Sequence, residues 1–145
     1  MDGAPQPLRD CIAHAVADAR LLGHGYIGSE HLLLGLPRMR GTRAAELLAQ
    51  AGVAHDRVAS VVTGIVGVGE QMPPDAQLPF TTRAARIAQR VVGEGERLGP
   101  EAIGSEHVLR AVLRGGDGVA YRILLDLGVD VSGMAGGLRK PRPDI

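Results

Sequence analysis

Aromatic residues are almost missing from this chain: one Phe, two Tyr and no Trp in 145 residues. A core must then be built from Leu, Ile, Val and Ala, which suits close-packed helices better than a β-sandwich rich in aromatics. Cysteine is nearly missing as well. The lone thiol, Cys11, cannot close an internal disulfide, so the fold does not rely on an oxidising compartment. Excess charge of either sign is lacking, because 16 basic and 16 acidic residues give a formal net charge of zero. Phosphate backbones are bound by clustered positive charge, so nucleic acid is not an expected partner and a transcription factor is disfavoured. No apolar run reaches the ~20 residues that cross a bilayer. Residues 1–10 carry no basic stretch followed by an apolar one, so no signal peptide is evident. A cytoplasmic protein with no membrane partner is expected. What the chain does have is 45% hydrophobic residues, enough for a globular core. It also has 21 Gly, which predict tight helix ends and some weak helices.

Self-similarity organises the rest. Gly28, Ser29, Glu30 and His31 return as Gly104, Ser105, Glu106 and His107, at an offset of 76. With that offset held, Leu22 and Gly23 fall on Leu98 and Gly99, and Ile27 on Ile103. Leu33 falls on Leu109, Arg38 on Arg114, Ala44 on Ala120, Leu48 on Leu124, and Gly52 and Val53 on Gly128 and Val129. No gap is needed. The chain divides into a first repeat (1–68), a linker (69–79) holding Pro73, Pro74 and Pro79, a second repeat (80–138) and a tail (139–145) expected to be disordered. Each repeat alone is marginal in size, so the two are expected to pack into one pseudo-twofold domain.

Helical periodicity runs through both copies. Leu8, Ile12, Ala15 and Ala19 mark a first helix that reaches Leu22 and stops at Gly23. Ser29 is expected to N-cap a second helix through its hydroxyl, with Glu30 facing the dipole and an end near Pro37. Residues 42–51 predict a third helix closed by Gly52, and a fourth runs from about His55 to Ile65. In the second copy Thr81 or Thr82 caps a helix to Leu98, weakened by about 1 kcal/mol at each of Gly93 and Gly95. Ser105 is expected to cap the next, ending near Arg114, and Asp117 the one that reaches Leu127. The last spans about 131–138, and its glycines are expected to fray it.

The repeated segments resemble the amino-terminal Clp repeat domain of the Clp chaperone ATPases, over about residues 4–138. Residues 19–36 are similar to the family's repeat signature. Phe80, Thr81, Arg83 and Ala84 are similar to the opening of its second copy, which continues through 103–107 and 116–120. The chain looks most like the ClpC branch, without the ATPase modules. The resemblance implies an all-α fold of eight helices, in two pseudo-twofold-related four-helix repeats packed as one domain. It implies a non-enzymatic module with no cofactor and no metal. Its implied partners are substrate or adaptor proteins, components of the Clp ATPase and protease, phosphoarginine degrons in ClpC-type members, and certain antibacterial cyclic peptides. Carried over residue by residue, it places Glu30 and Glu106 on the guanidinium of a phosphoarginine, Thr81 and Arg83 near its phosphate, and Phe80 at the groove between repeats. The first copy has Ala4 and Pro5 where the second has Phe80 and Thr81, so it lacks the aromatic and the phosphate-side hydroxyl. No Gly-x-x-x-x-Gly-Lys-Ser/Thr loop occurs. The expectation is a monomer, either a stand-alone protein or a domain of a longer one. As a stand-alone chain it would modulate a Clp machine, or act as a decoy for its ligands and for peptide antibiotics.

Each candidate residue also has a plainer reading. A carboxylate at position 30 or 106 pairs bidentately with a guanidinium, or it simply supports its own helix dipole, worth about 0.3–1 kcal/mol. His31 and His107 are expected to be structural, each bonding a backbone carbonyl, because Glu30 and His31 are neighbours on a helix and do not face one way. Cys11 and His14 could be a nucleophile and base of a small hydrolase; the favoured reading is a core thiol with an edge histidine. Phe80 either plugs the core or anchors a ligand.

Overall fold

Eight α-helices follow one another in a computed structural model of the chain, which describes residues 3–114 and 118–139. They are α1 (Gln6–Leu22), α2 (Ser29–Arg38), α3 (Arg43–Gln50), α4 (His55–Val66), α5 (Thr82–Leu98), α6 (Ser105–Leu113), α7 (Val119–Asp126) and α8 (Val131–Arg139). A 3-10 turn, Pro100–Ala102, precedes α6. Among the described residues there is no strand, only one isolated parallel bridge between Ile27 and Phe80. The buried core is Leu, Val, Ile and Ala, as the aromatic shortage requires.

Most helix ends obey local chemistry. Gly23 ends α1 at φ 73°, and Gly52, after α3, sits at φ 77°. Thr42 and Thr81 cap α3 and α5, their hydroxyls accepting from the backbone N–H of Ala45 and Ala84. The expected serine caps do not form. Gly28 and Gly104 occupy the N-cap positions, and Ser29 and Ser105 are the first helical residues. Gly118 is the N-cap of α7; the expected cap Asp117 lies outside the described residues, as does the tail beyond residue 139. A cap that sequence reading missed is Asp130, whose Oδ1 accepts from the N–H of Gly133 at 3.0 Å and anchors the glycine-rich α8.

Most contacts between the repeats come in matched pairs, with α4 against α7 an exception. α2 of the first repeat lies against α7 of the second, and α6 of the second against α3 of the first. Likewise α1 meets α6 and α5 meets α2, with α2 and α6 touching at the centre. The segment between the repeats is no loose tether. Gly69 and Met72 donate to the carbonyls of Leu22 and Arg20, and the Arg20 guanidinium donates back to the carbonyl of Ala76.

One close approach sets the first repeat's geometry. The buried stripe of α1 is Leu8, Cys11, Ala15, Asp18 and Ala19, with Ile12 only at its edge, so small side chains face α2. A Cβ at Gly35 would lie 2.7 Å from the carbonyl oxygen of Cys11 and 3.3 Å from the backbone nitrogen of Ala15. Both obstacles are backbone and cannot swing aside. The equivalent position in the second repeat is Ala111. Gly35→Ala is therefore expected to lower stability by about 1–3 kcal/mol in urea unfolding. In contrast Gly93→Ala, where a Cβ meets nothing within 4 Å, should raise it by up to about 1 kcal/mol. A neutral Gly35→Ala would contradict the close approach.

Candidate binding site

Four helix N-termini meet head to head at the boundary between repeats. The start of α2 faces that of α7, and the start of α6 faces that of α3. Each pair is joined by a serine. Ser29 Oγ accepts from the N–H of Ala120 at 3.2 Å, and Ser105 Oγ accepts from the N–H of Ala44 at 3.0 Å. Ala44 and Ala120 sit at the second position of their helices, where a backbone N–H has no partner within the helix. The serines thus satisfy the opposite repeat's helix instead of their own, which explains why they are not caps.

Opposed N-termini bring like partial charges together. Glu30 and Glu106 stand there as counter-charge. Each carboxylate folds back over its own N-cap, into the space that a Cβ at Gly28 or Gly104 would take, so a side chain there would displace it. The two glutamates then differ. Glu30 is buried and accepts a hydrogen bond from the Tyr26 hydroxyl at 3.1 Å. Burial and the adjacent Glu30 push the Tyr26 hydroxyl up to about 12. Glu106 keeps a side-chain exposure of 19% and lies 3.6 Å from the Arg43 guanidinium.

The other sequence-predicted residues gather at the Glu30 side. The extended segment before α5 bridges the one before α2: Ile27 donates to the carbonyl of Pro79 at 2.8 Å, and Thr81 donates to the carbonyl of Ile27 at 2.9 Å. This sets the N-terminus of α5 beside that of α2. Arg83 runs along α7's N-cap, where a Cβ on Gly118 would meet its side chain. Glu30, Phe80, Thr81 and Arg83 therefore belong to one seam, and Glu106 with Arg43 to its twofold mate. In that second seam Pro5 has no N–H to repeat the bridge. Its ring instead lies against Gly95, where a Cβ would stand 3.0 Å from Pro5 Cγ. Phe80 is half-buried and forms one end of a groove of about 520 Å³ that runs along α5 past Ala88 and Val92.

The histidines are structural, but as acceptors of backbone N–H groups, not donors to carbonyls as the sequence suggested. Gly28 and Gly104 donate to Nδ1 of His31 and His107, each at 2.9 Å. Since Nδ1 of His31 accepts, its Nε2 carries the hydrogen and donates to His24 Nδ1 at 2.8 Å. His24 Nε2 in turn donates to the carbonyl of Gly67 at 2.8 Å. The chain of bonds holds only with both rings neutral. Burial first, and His24 second, lower His31 to about 4.

Cys11 is buried and its thiol donates to the carbonyl of Leu32 at 3.4 Å. Burial pushes it up to about 12, the opposite of an activated nucleophile. Among the described residues no cluster of three or more His, Cys, Asp or Glu is placed to hold a metal. No described helix is long and apolar enough to cross a membrane.

Comparison with known proteins agrees with this geometry. The profile of the Clp repeat (R) N-terminal domain family matches residues 6–127. The chain is 36% identical over 121 residues to the negative regulator of genetic competence ClpC/MecB of Bacillus subtilis, covering 83% of this chain and 15% of that protein. It is 40% identical over 118 residues to the chloroplastic chaperone protein ClpC1 of Arabidopsis thaliana, covering 81% of this chain and 13% of that one. Among solved structures, the N-terminal domain of ClpD from Arabidopsis thaliana superposes with a TM-score of 0.74 at 20% identity, covering 94% of this chain and 92% of that one. The Hsp104 N-terminal domain from Candida albicans gives 0.70 at 14% identity, covering 94% and 89%. A duplicated four-helix unit, cross-bonded at Ser29 and Ser105 and matched by the family profile over most of its length, makes this chain a member of the Clp repeat N-terminal domain family.

Proposed function

We propose that the chain is a non-catalytic docking module of the Clp system, which takes extended segments of substrate or adaptor proteins into the groove beside Phe80. The supporting observation is the placement of Phe80 itself. Its backbone is pinned by the bridge to Ile27, while its ring stays half-buried at the end of an apolar groove of about 520 Å³. A rigid aromatic presented this way is the usual anchor of a binding surface. The test is fluorescence anisotropy with unfolded casein as the client. Phe80→Ala should weaken binding about tenfold or more, since anchor residues are worth roughly 2 kcal/mol. Unchanged affinity would remove the groove from the mechanism.

Phosphoarginine degrons are a narrower version of this reading. A carboxylate beside converging helix N-termini suits a ligand with a guanidinium and a phosphate. The two seams divide the needed groups, however. The hydroxyl of Thr81 accompanies Glu30, which Tyr26 covers, whereas the more open Glu106 has Pro5 in place of that hydroxyl. Calorimetry with phosphoarginine should show binding that Glu106→Ala reduces strongly and that Tyr26→Phe strengthens by freeing the Glu30 oxygen that the hydroxyl occupies. No change in either variant would remove the carboxylate assignment. Cyclic-peptide antibiotics are a further candidate for the Phe80 groove, and a chain that captured them would act as a decoy.

A further inference from the structure

A larger cavity, of about 700 Å³, opens on the other side of α5 and is lined by four arginines: Arg90, Arg97, Arg110 and Arg114. Among the described residues only one of them is neutralised. Arg110 holds Glu94 at 2.6 Å, while Arg90, Arg97 and Arg114 form no ion pair among the described residues. In a chain of zero net charge, this is a local segregation of positive charge.

The duplicated fold supplies its own control. The matching positions of the first repeat are His14, Leu21, Leu34 and Arg38, of which only His14 and Arg38 line a cavity, one of about 330 Å³. There Arg38 is taken bidentately by Asp18, with Nη2 to Oδ1 at 2.9 Å and Nε to Oδ2 at 3.0 Å, and His55 also contacts Asp18. In the second repeat the acid at that position, Glu94, serves Arg110 instead, and Arg114 has no acidic partner among the described residues. Arginine near helix C-termini is favoured by the dipole, but that applies to both copies, and only the second accumulates four.

We propose that this cavity is a binding site for an extended acidic segment of another protein. Arg90 and Arg97 lie two helical turns apart, about 10 Å along α5, and Arg110 and Arg114 about 6 Å apart along α6. A compact anion reaches one pair at most. Carboxylates on alternate residues of an extended peptide recur about 7 Å apart on one face, close to the Arg110–Arg114 spacing, and a few of them in succession span the longer Arg90–Arg97 distance. Leu113 and Ala135 add an apolar floor. Gly93 lines both this cavity and the groove beside Phe80, and a Cβ there meets nothing. A chain crossing Gly93 thus runs from one into the other, although the acidic site does not depend on occupation of the Phe80 groove.

The test uses a fluorescein-labelled peptide of about eight residues with Glu at alternate positions, so that its carboxylates recur on one face. Its Gln counterpart and inorganic triphosphate are run beside it. The Glu peptide should bind and the Gln peptide should not. Affinity should fall steeply with salt and at least tenfold in Arg90→Ala/Arg97→Ala, two exposed positions. Arg122→Ala, which removes an exposed pair with Asp126 elsewhere, should leave it unchanged. Absence of binding, or binding indifferent to the double variant, would overturn the site. Arginine-dependent binding of triphosphate but not of the Glu peptide would overturn the acidic-segment assignment.

Discussion

Replacing both Ser29 and Ser105 with Ala is expected to destabilise the fold by about 2–6 kcal/mol. Among the described residues each serine oxygen is the sole partner of a buried N–H, that of Ala120 or Ala44. Removing it leaves the donor desolvated and unpaired, at about 1–3 kcal/mol each. Small domains have only about 5–15 kcal/mol in total, so the double variant should lose a large share of its stability. Urea unfolding of both single variants and the double one measures this. The bonds lie between the repeats, so the loss should appear in one cooperative transition. A double variant within about 0.5 kcal/mol of the parent, the range of ordinary surface substitutions, would mean that water replaces the hydroxyls and that the seam is wet.

The second large effect is acid sensitivity from the His31–His24–Gly67 chain. His31 is fully buried, and burial with the neighbouring His24 lowers it from 6.5 to about 4 in the folded state. The sign follows from linkage. Above pH 6.5 the ring is neutral in both states and its contribution is fully present. As pH falls below 6.5 the unfolded chain takes up a proton that the folded chain refuses, so stability drops by about 1.4 kcal/mol per pH unit. The loss ends near pH 4, at about 3 kcal/mol in all. His31→Asn keeps an acceptor for the Gly28 N–H without a titrating group. It should flatten this part of the profile between pH 6.5 and 4. An unchanged slope in that variant would assign the acid sensitivity to other groups.

Local signals read well from the chain. Thr81 caps its helix because the bond spans three residues, as does the bond at Thr42, which the periodicity places inside its helix. Gly23 and Gly52 end helices because only glycine adopts positive φ without strain. The serines were misread by the same local logic. A serine before an apolar run looks like a cap, yet Ser29 and Ser105 find their partners 91 and 61 residues away. Glu30 and Glu106 are indistinguishable in sequence, and so are His31 and His107. Their differences come from neighbours that break the repeat: Tyr26 against Ala102, Arg43 against Val119, and His24 against Pro100. The arginine cavity left no motif, because its residues sit on two helices and look like ordinary solvated charges one at a time.

By itself the sequence determined the helical class, the duplication at a fixed offset, most helix ends, and hence the family. Those properties depend on backbone dihedrals and on a periodicity of a few residues. Tertiary structure decided which carboxylate is covered, that both serines bond across the seam, which histidine is held neutral, and which arginines find no acid among the described residues. Desolvation and pairing depend on what the opposite repeat brings within about 3–4 Å, and no stretch of one repeat contains that information.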